Sequence, residues 1–125
     1  TSNPSAHELQ VHGDKGSSLY KKVILIANAL NASDNIGLVV GATQTGVMED
    51  IRERSKGMPW LIPGVGTQGG DLETALNISH QNGIGIINVS RGILYKGNGS
   101  MEDVIQSAID YTDKIRNIIW NPVNC

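Results

Sequence analysis

The sequence predicts an α/β protein built on parallel strands, and three observations carry that expectation. Helical and strand-like apolar patterns alternate along the 125 residues. The strand-like runs are short and continuously apolar, the pattern of strands covered on both faces. The turns that follow them are rich in glycine, which suits loops that bring backbone close to a ligand. Alternation of this kind implies right-handed crossovers between parallel neighbours.

The elements follow in order. Residues Thr1 to Ser18 are rich in Ser, Gly, Asn, His and Asp and are expected to form a loop. From Ser18 to Leu30 the apolar residues Leu19, Val23, Ile26, Ala27 and Leu30 recur with helical spacing and predict one buried face. Ile36 to Ala42 is an apolar run interrupted only by glycine and predicts a strand buried on both sides. Thr45 to Lys56 is charged, with Val47, Met48 and Ile51 on one side of a short helix. Trp60 to Ile62 predicts the next strand, stopped by Pro63-Gly64, and the loop Gly64 to Gly70 comes next. Asp71 to Gln81 predicts a helix with Leu72, Ala75, Leu76 and Ser79 inward. Gly85 to Val89 is a third strand and Ser90 to Gly99 a loop. Ser100 and Asp103 resemble a capping pair, with the carboxylate expected to reach back to the cap's N–H. The last helix is expected to run to about Trp120, before Pro122, with Met101, Val104, Ile105, Ala108, Thr112, Ile115 and Ile119 inward.

Two architectures fit this order: an open doubly wound sheet, or part of a (βα)8 barrel. Three strands are few for either, and both would leave strand edges bare. A net charge of -2 gives no electrostatic footprint for nucleic acid. No apolar stretch approaches a membrane span. The polar first residues do not form a signal peptide. The lone cysteine, Cys125, excludes an internal disulfide framework and a cysteine zinc cage, and it fits a reducing, cytoplasmic compartment. His7, His12 and His80 lack metal-ligand spacing, and nothing calls for a cofactor.

The chemistry is expected in the loops after the strands, because α/β folds bind ligands at the C-terminal strand ends. The first such loop is Gly41 to Gln44. The second has four glycines from Gly64 to Gly70 and one long polar side chain, Gln68, which can donate and accept. Its N–H groups could turn toward an anion or a planar ring. Taken alone, a tight connection explains it better. The third loop shifts that balance. Arg91 stands just past an apolar strand, precedes Gly92 and has no acidic neighbour in sequence. A guanidinium with backbone donors makes a charge-assisted phosphate site. The alternative is an ion pair brought together by folding, for instance with Asp71.

These strings carry a family resemblance. Leu61 to Asp71 (LIPGVGTQGGD) and Ile87 to Tyr95 (INVSRGILY) resemble the seventh- and eighth-strand loops of orotidine 5'-phosphate decarboxylases, in particular the longer bacterial branch. Gly37 to Thr43 resembles the sixth strand, Thr1 to Ser5 the end of the fifth, and Leu19-Tyr20 the start of the helix after it. These motifs, in register, span nearly the whole chain. The resemblance implies that residues 1–125 are a single partial domain, the C-terminal half of a (βα)8 TIM barrel from about strand 5 or 6 to strand 8, with parallel strands and outer helices.

It also implies roles. Ser2 would hydrogen-bond the pyrimidine edge, and Gln68 would bridge base and phosphate. Arg91 and the backbone of Gly92 would hold the 5'-phosphate. Pro63, Gly64 and Gly66 would shape the loop beside the base. The ligands would be orotidine 5'-monophosphate and UMP, in the decarboxylation step of pyrimidine biosynthesis. The family's catalytic tetrad of Lys and Asp, with its Asp-x-Lys-x-x-Asp run, has no counterpart here. None of the six lysines (Lys15, Lys21, Lys22, Lys56, Lys96, Lys114) ends a buried strand beside two aspartates. No catalytic residue is therefore assigned, and the chain alone is expected to be inactive. The expected partners are a missing N-terminal half-barrel or a second copy in a homo-oligomer such as a dimer. Two other readings stay open. One is another phosphate-binding barrel enzyme, an epimerase or hexulose-phosphate synthase relative. The other is a non-catalytic nucleotide-binding or assembly module.

Among other residues, Asp71 is expected to cap a helix. Tyr95 is expected in the core, and Trp60 and Trp120 as packing residues. Thr1 could serve as an N-terminal nucleophile, but a truncated or processed end is the simpler expectation.

Overall fold

A computed structural model describes residues 18–43, 45–66 and 70–120. The expectations placed on Thr1 to Ser17, Gln44, Gln68, Pro122 and Cys125, including the roles of Ser2 and Gln68, lie outside the described residues. The elements are α1 (Leu19–Leu30), β1 (Leu38–Val39), α2 (Thr45–Arg54), β2 (Trp60–Pro63), α3 (Leu72–His80), β3 (Gly85–Asn88), α4 (Arg91–Leu94) and α5 (Met101–Trp120). The expected alternation is present, with one addition. Within the expected loop after β3, the Ser90 carbonyl accepts from the N–H groups of Ile93 and Leu94, and this closes the single helical turn of α4.

The three strands pair in parallel in the order β1-β2-β3. Only Leu38 and Val39 form a regular first strand, but its ladder continues. Leu38, Val40 and Ala42 donate to the carbonyls of Pro59, Leu61 and Pro63 at 3.0, 2.9 and 2.9 Å. Alternate residues therefore point one way, and that face carries the core. Val40, Ala42, Trp60 and Ile62 pack there with Met48 of α2 and Ala75 and Ile78 of α3, and Tyr111 of α5 lies against them.

The expectation that the strands are covered on both faces is not met among the described residues. Val39, Leu61 and Ile86 are aligned across the sheet by register and remain 69, 40 and 56% exposed. Helices α2, α3 and α5 cover only the Trp60/Ile62 side, so this apolar row is bare. The same cause displaces the expected helix faces. In α1, Ile24 and Ala27 are buried, whereas Leu19, Val23, Ile26 and Leu30 are exposed. In α5, Ser107 is the buried residue. Met101, Ile105, Thr112 and Ile119 are exposed, and Val104, Ala108 and Ile115 are half-buried. Each of these helices has a broad apolar surface, and its described neighbours touch one side of it. Tyr95 and Trp120, expected inside, are 75 and 72% exposed. Trp60 is fully buried, as expected.

Polar contacts fix the helical layer. The Tyr20 hydroxyl donates to Asp50 at 3.0 Å, and Arg54 Nε donates to the same carboxylate at 2.8 Å. Arg52 is a finding that the charge pattern of α2 did not suggest. Its guanidinium is buried, donating from Nη1 to the Ser79 carbonyl and from Nη2 to Ser55 Oγ and the Met58 carbonyl. Burial without a carboxylate lowers its pKa from the usual arginine value. Among the described residues, no helix is long and apolar enough to cross a membrane.

Candidate functional site

The loops after β2 and β3 leave the sheet side by side because their strands are paired. Pro63 and Asn88 are register partners at the strand ends. Beyond them, residues 63–65 and 88–91 line a cleft of about 80 Å³. It thus brings together Pro63, Gly64 and Arg91, three of the residues singled out in the sequence. The space is far below the roughly 300–1,000 Å³ of sites that enclose a drug-sized ligand. It suits a phosphate-sized group. Larger hollows of about 460 and 510 Å³ lie beside α1 and α2. They touch none of the expected site residues and do not lie at the strand ends, where α/β proteins place their ligands.

The glycines of the second loop have separate physical reasons. Gly64 and Gly66 have φ of 93° and 80°, a region costly for residues with a Cβ. Gly70 lies so close to its neighbours that a Cβ would meet the Gly64 carbonyl oxygen at 2.5 Å and Ala42 Cβ at 2.6 Å. Two backbone hydrogen bonds close the neck of this loop: Gly66 donates to Gly70 at 3.2 Å, and Gly70 donates to Gly64 at 3.1 Å. Residues 64–66 and 70 are thus held by backbone hydrogen bonds and close packing.

Asp71 caps α3 as expected. Its carboxylate accepts from the Glu73 N–H and from Thr74 Oγ1, both at 2.9 Å. The Thr74 hydroxyl, followed by the backbone donors, outweighs desolvation and holds the Asp71 pKa below its usual value. Asp71 is therefore occupied as a cap.

Arg91 is the first residue of α4, and it is exposed. Among the described residues no ion pair joins it to Asp71 or any other acid; the pairs present are Lys21 and Arg54 with Asp50, and Arg116 with Asp113. Arg91 lines the cleft. The N–H groups of Arg91 and Gly92 fall in the first turn, where no intrahelical acceptor exists. Gly92 is held from behind, because its carbonyl accepts from Ser107 Oγ of α5 at 2.8 Å.

The anchoring of α5 is partly as expected. Ser100 Oγ accepts from the Asp103 N–H at 3.1 Å. The Asp103 carboxylate, however, accepts from the Asn98 N–H at 3.1 Å, and the Ser100 N–H donates to Asn98 Oδ1 instead. The turn through Gly97 and Gly99, both at positive φ, brings Asn98 nearer than the cap's own N–H. Two contacts were not legible beforehand: the Ser107 bond to Gly92, and Tyr111 beside the glycine loops. Neither residue belongs to a local motif, and each acts across the fold.

Comparisons with known proteins relate the chain to one enzyme family over part of its length. No protein-family model matches the chain. The chain is 45% identical over 98 residues to the orotidine 5'-phosphate decarboxylase of Haloarcula marismortui, covering 78% of this chain and 35% of that protein. It is 40% identical over 125 residues to the orotidine 5'-phosphate decarboxylase of Bordetella petrii, covering 95% of this chain and 45% of that one. The solved structure of Leishmania donovani OMP decarboxylase superposes with a TM-score of 0.78 at 29% identity, over 94% of this chain and 44% of that one. The chain therefore spans less than half the length of these relatives.

Proposed function

From the homology of this chain to orotidine 5'-phosphate decarboxylases over part of their length, we propose that it forms the phosphate- and pyrimidine-binding side of such an enzyme, as the C-terminal half of a (βα)8 barrel. The observation that carries this reading is the cleft where Pro63 and Gly64 meet Arg91. A 5'-phosphate dianion placed there would take the guanidinium of Arg91 as a charge-assisted partner, with the Gly92 N–H beside it. Pro63, Gly64 and Gly66 would form the wall next to the base. Gln68 and Ser2, outside the described residues, carry the family's roles of bridging base and phosphate and of meeting the pyrimidine edge.

In the reaction, the bond between the pyrimidine ring and its carboxylate breaks, CO2 leaves, and a proton takes its place, so that orotidine 5'-monophosphate becomes UMP. That proton comes from the family's Lys/Asp tetrad, for which this sequence has no matching run. The part played by this chain is binding. Holding the phosphate far from the reacting carbon lets that binding energy position the carbon for reaction.

The partner that completes the site is the rest of a barrel. Three bare apolar surfaces support this: the row Val39, Leu61 and Ile86, the α1 row Leu19, Val23, Ile26 and Leu30, and the α5 row Met101, Ile105 and Ile109. A barrel buries the first inside and packs the other two against neighbouring helices. A second copy would serve the same surfaces in a homo-oligomer such as a dimer. Cytoplasmic pyrimidine biosynthesis is the setting that this reading implies.

Titration calorimetry with UMP tests the proposal. Wild type is expected to bind, and Arg91→Ala to weaken binding by roughly 1.5–3 kcal/mol, the scale of a hydrogen bond to a charged group. Because Arg91 is exposed and has no ion pair among the described residues, its removal is expected to leave the melting temperature unchanged. Turnover of orotidine 5'-monophosphate is expected only once the remaining half of a relative is added. Equal UMP affinity in wild type and Arg91→Ala would remove Arg91 from the site.

A further inference from the structure

The two walls of the cleft come from loops that are far apart in sequence, yet one side chain touches the residue just beyond each wall. Tyr111 projects from the middle of α5, and its ring lies against the core. A Cβ on Gly66 would meet the Tyr111 hydroxyl oxygen at 2.5 Å, and a Cβ on Gly92 would meet the same atom at 2.7 Å. The hydroxyl therefore sits between the two glycine turns, in space that only glycine leaves free on either side. One turn earlier on the same helix face, buried Ser107 holds the Gly92 carbonyl by the 2.8 Å hydrogen bond. Gly66 follows the wall residues 63–65, and Gly92 follows Arg91. Helix α5 thus grips both loops from behind the cleft.

We infer that Tyr111 is a positioning residue whose hydroxyl, wedged between Gly66 and Gly92, sets the separation of the two loops and so the width of the cleft that receives phosphate. The ring, fixed by the core, is the rigid stem, and the hydroxyl is the spacer at its tip. The ligand side of this inference rests on the proposed function; the coupling of the two loops does not.

The test separates spacer from packing. Tyr111→Phe keeps the ring and removes only the spacer atom. The expected result is a wild-type melting temperature, displaced backbone amide resonances at both Gly66 and Gly92, and a lower UMP affinity than wild type. A second variant reads the wedge directly. Gly92→Ala is expected to displace the Gly66 amide as well as its own surroundings, because the new methyl pushes on the shared hydroxyl. In the Tyr111→Phe background the same Gly92→Ala change is expected to leave Gly66 in place, since the transmitting atom is gone. Unmoved Gly66 and Gly92 amides in Tyr111→Phe, or a Gly66 response to Gly92→Ala that is the same in both backgrounds, would overturn the inference. If wild type binds no UMP, the proposed function falls, while the amide resonances still decide whether Tyr111 couples the loops.

Discussion

The guanidinium carbon of Arg52 stands 4.3 Å from the centre of the Trp60 ring. Both side chains are buried, and Ser55 Oγ joins them by accepting from Arg52 Nη2 at 3.0 Å and from Trp60 Nε1 at 3.2 Å. A charged, amphipathic helix thus sends a cation against the central strand. Its hydrogen bonds to the Ser79 and Met58 carbonyls tie together α2, α3 and the approach to β2. No carboxylate shares the site among the described residues, so the charge is held by carbonyl dipoles and the indole face.

Arg52→Ala is expected to destabilise the chain by about 3–5 kcal/mol, by leaving carbonyl groups unsatisfied and opening a cavity. Arg52→Lys is expected to recover only part of this, because an ammonium cannot reproduce a planar fork of donors. Urea unfolding of the three proteins checks the order wild type, Lys, Ala. Equal midpoints for wild type and Lys would show that charge alone suffices.

Gly70 has no room for a side chain. Gly70→Ala is expected to cost about 1–3 kcal/mol through overpacking against the Gly64 carbonyl and Ala42. Both neighbours belong to the loop-and-strand framework of the site, so UMP affinity is expected to fall with stability. Gly46→Ala is the control, since a Cβ there meets nothing within 4 Å. It is expected to be neutral or slightly stabilising, because alanine is the better helix former.

The Asp71 cap makes a pH prediction. Its folded-state pKa lies below the unfolded value, so its contribution is fully present above about pH 4, the usual aspartate range. That contribution is lost as pH falls through the lower, folded-state pKa. Asp71→Ala is expected to cost about 1 kcal/mol at pH 7, as for a lost N-cap, and less at pH 3. Unfolding midpoints of wild type and variant between pH 7 and pH 3 should converge; parallel curves would count against the capping charge.

The bare row across the sheet predicts self-association. Leu61→Thr with Ile86→Thr is expected to reduce oligomers in sedimentation velocity while leaving the far-ultraviolet dichroism unchanged. Both side chains face away from the buried core and form part of an exposed apolar patch. Unchanged association would move the contact to the exposed rows of α1 and α5.

Helix and strand order was legible because apolar spacing reports local geometry, and the decisive cues were short. The Ile36–Ala42 run, the Pro63-Gly64 stop and the Asp71 cap each lie within a few residues of the feature they specify. Arg91 was found for the same reason, as an arginine directly after an apolar run. What could not be read is which side of an apolar surface has a neighbour. Of the Leu19, Val23, Ile26, Ala27 and Leu30 face expected inside by spacing, the described fold buries Ala27 alone, and Ile24 joins it. Arg52 was hidden because a buried cation needs acceptors from Ser79 and Met58, which only folding gathers.

By itself, then, the sequence determined the alternation of helices and strands, the glycine loops, the arginine after the third strand and the family resemblance, all of them properties of residues close together in the chain. The tertiary structure alone decided that Arg91 lines the same cleft as Pro63 and Gly64, that Asp71 serves α3, that Arg52 lies against Trp60 and that Tyr111 stands between Gly66 and Gly92. The physical reason is that spacing encodes local geometry, whereas burial and hydrogen-bond partnership depend on which distant surfaces the parallel strand register brings into contact.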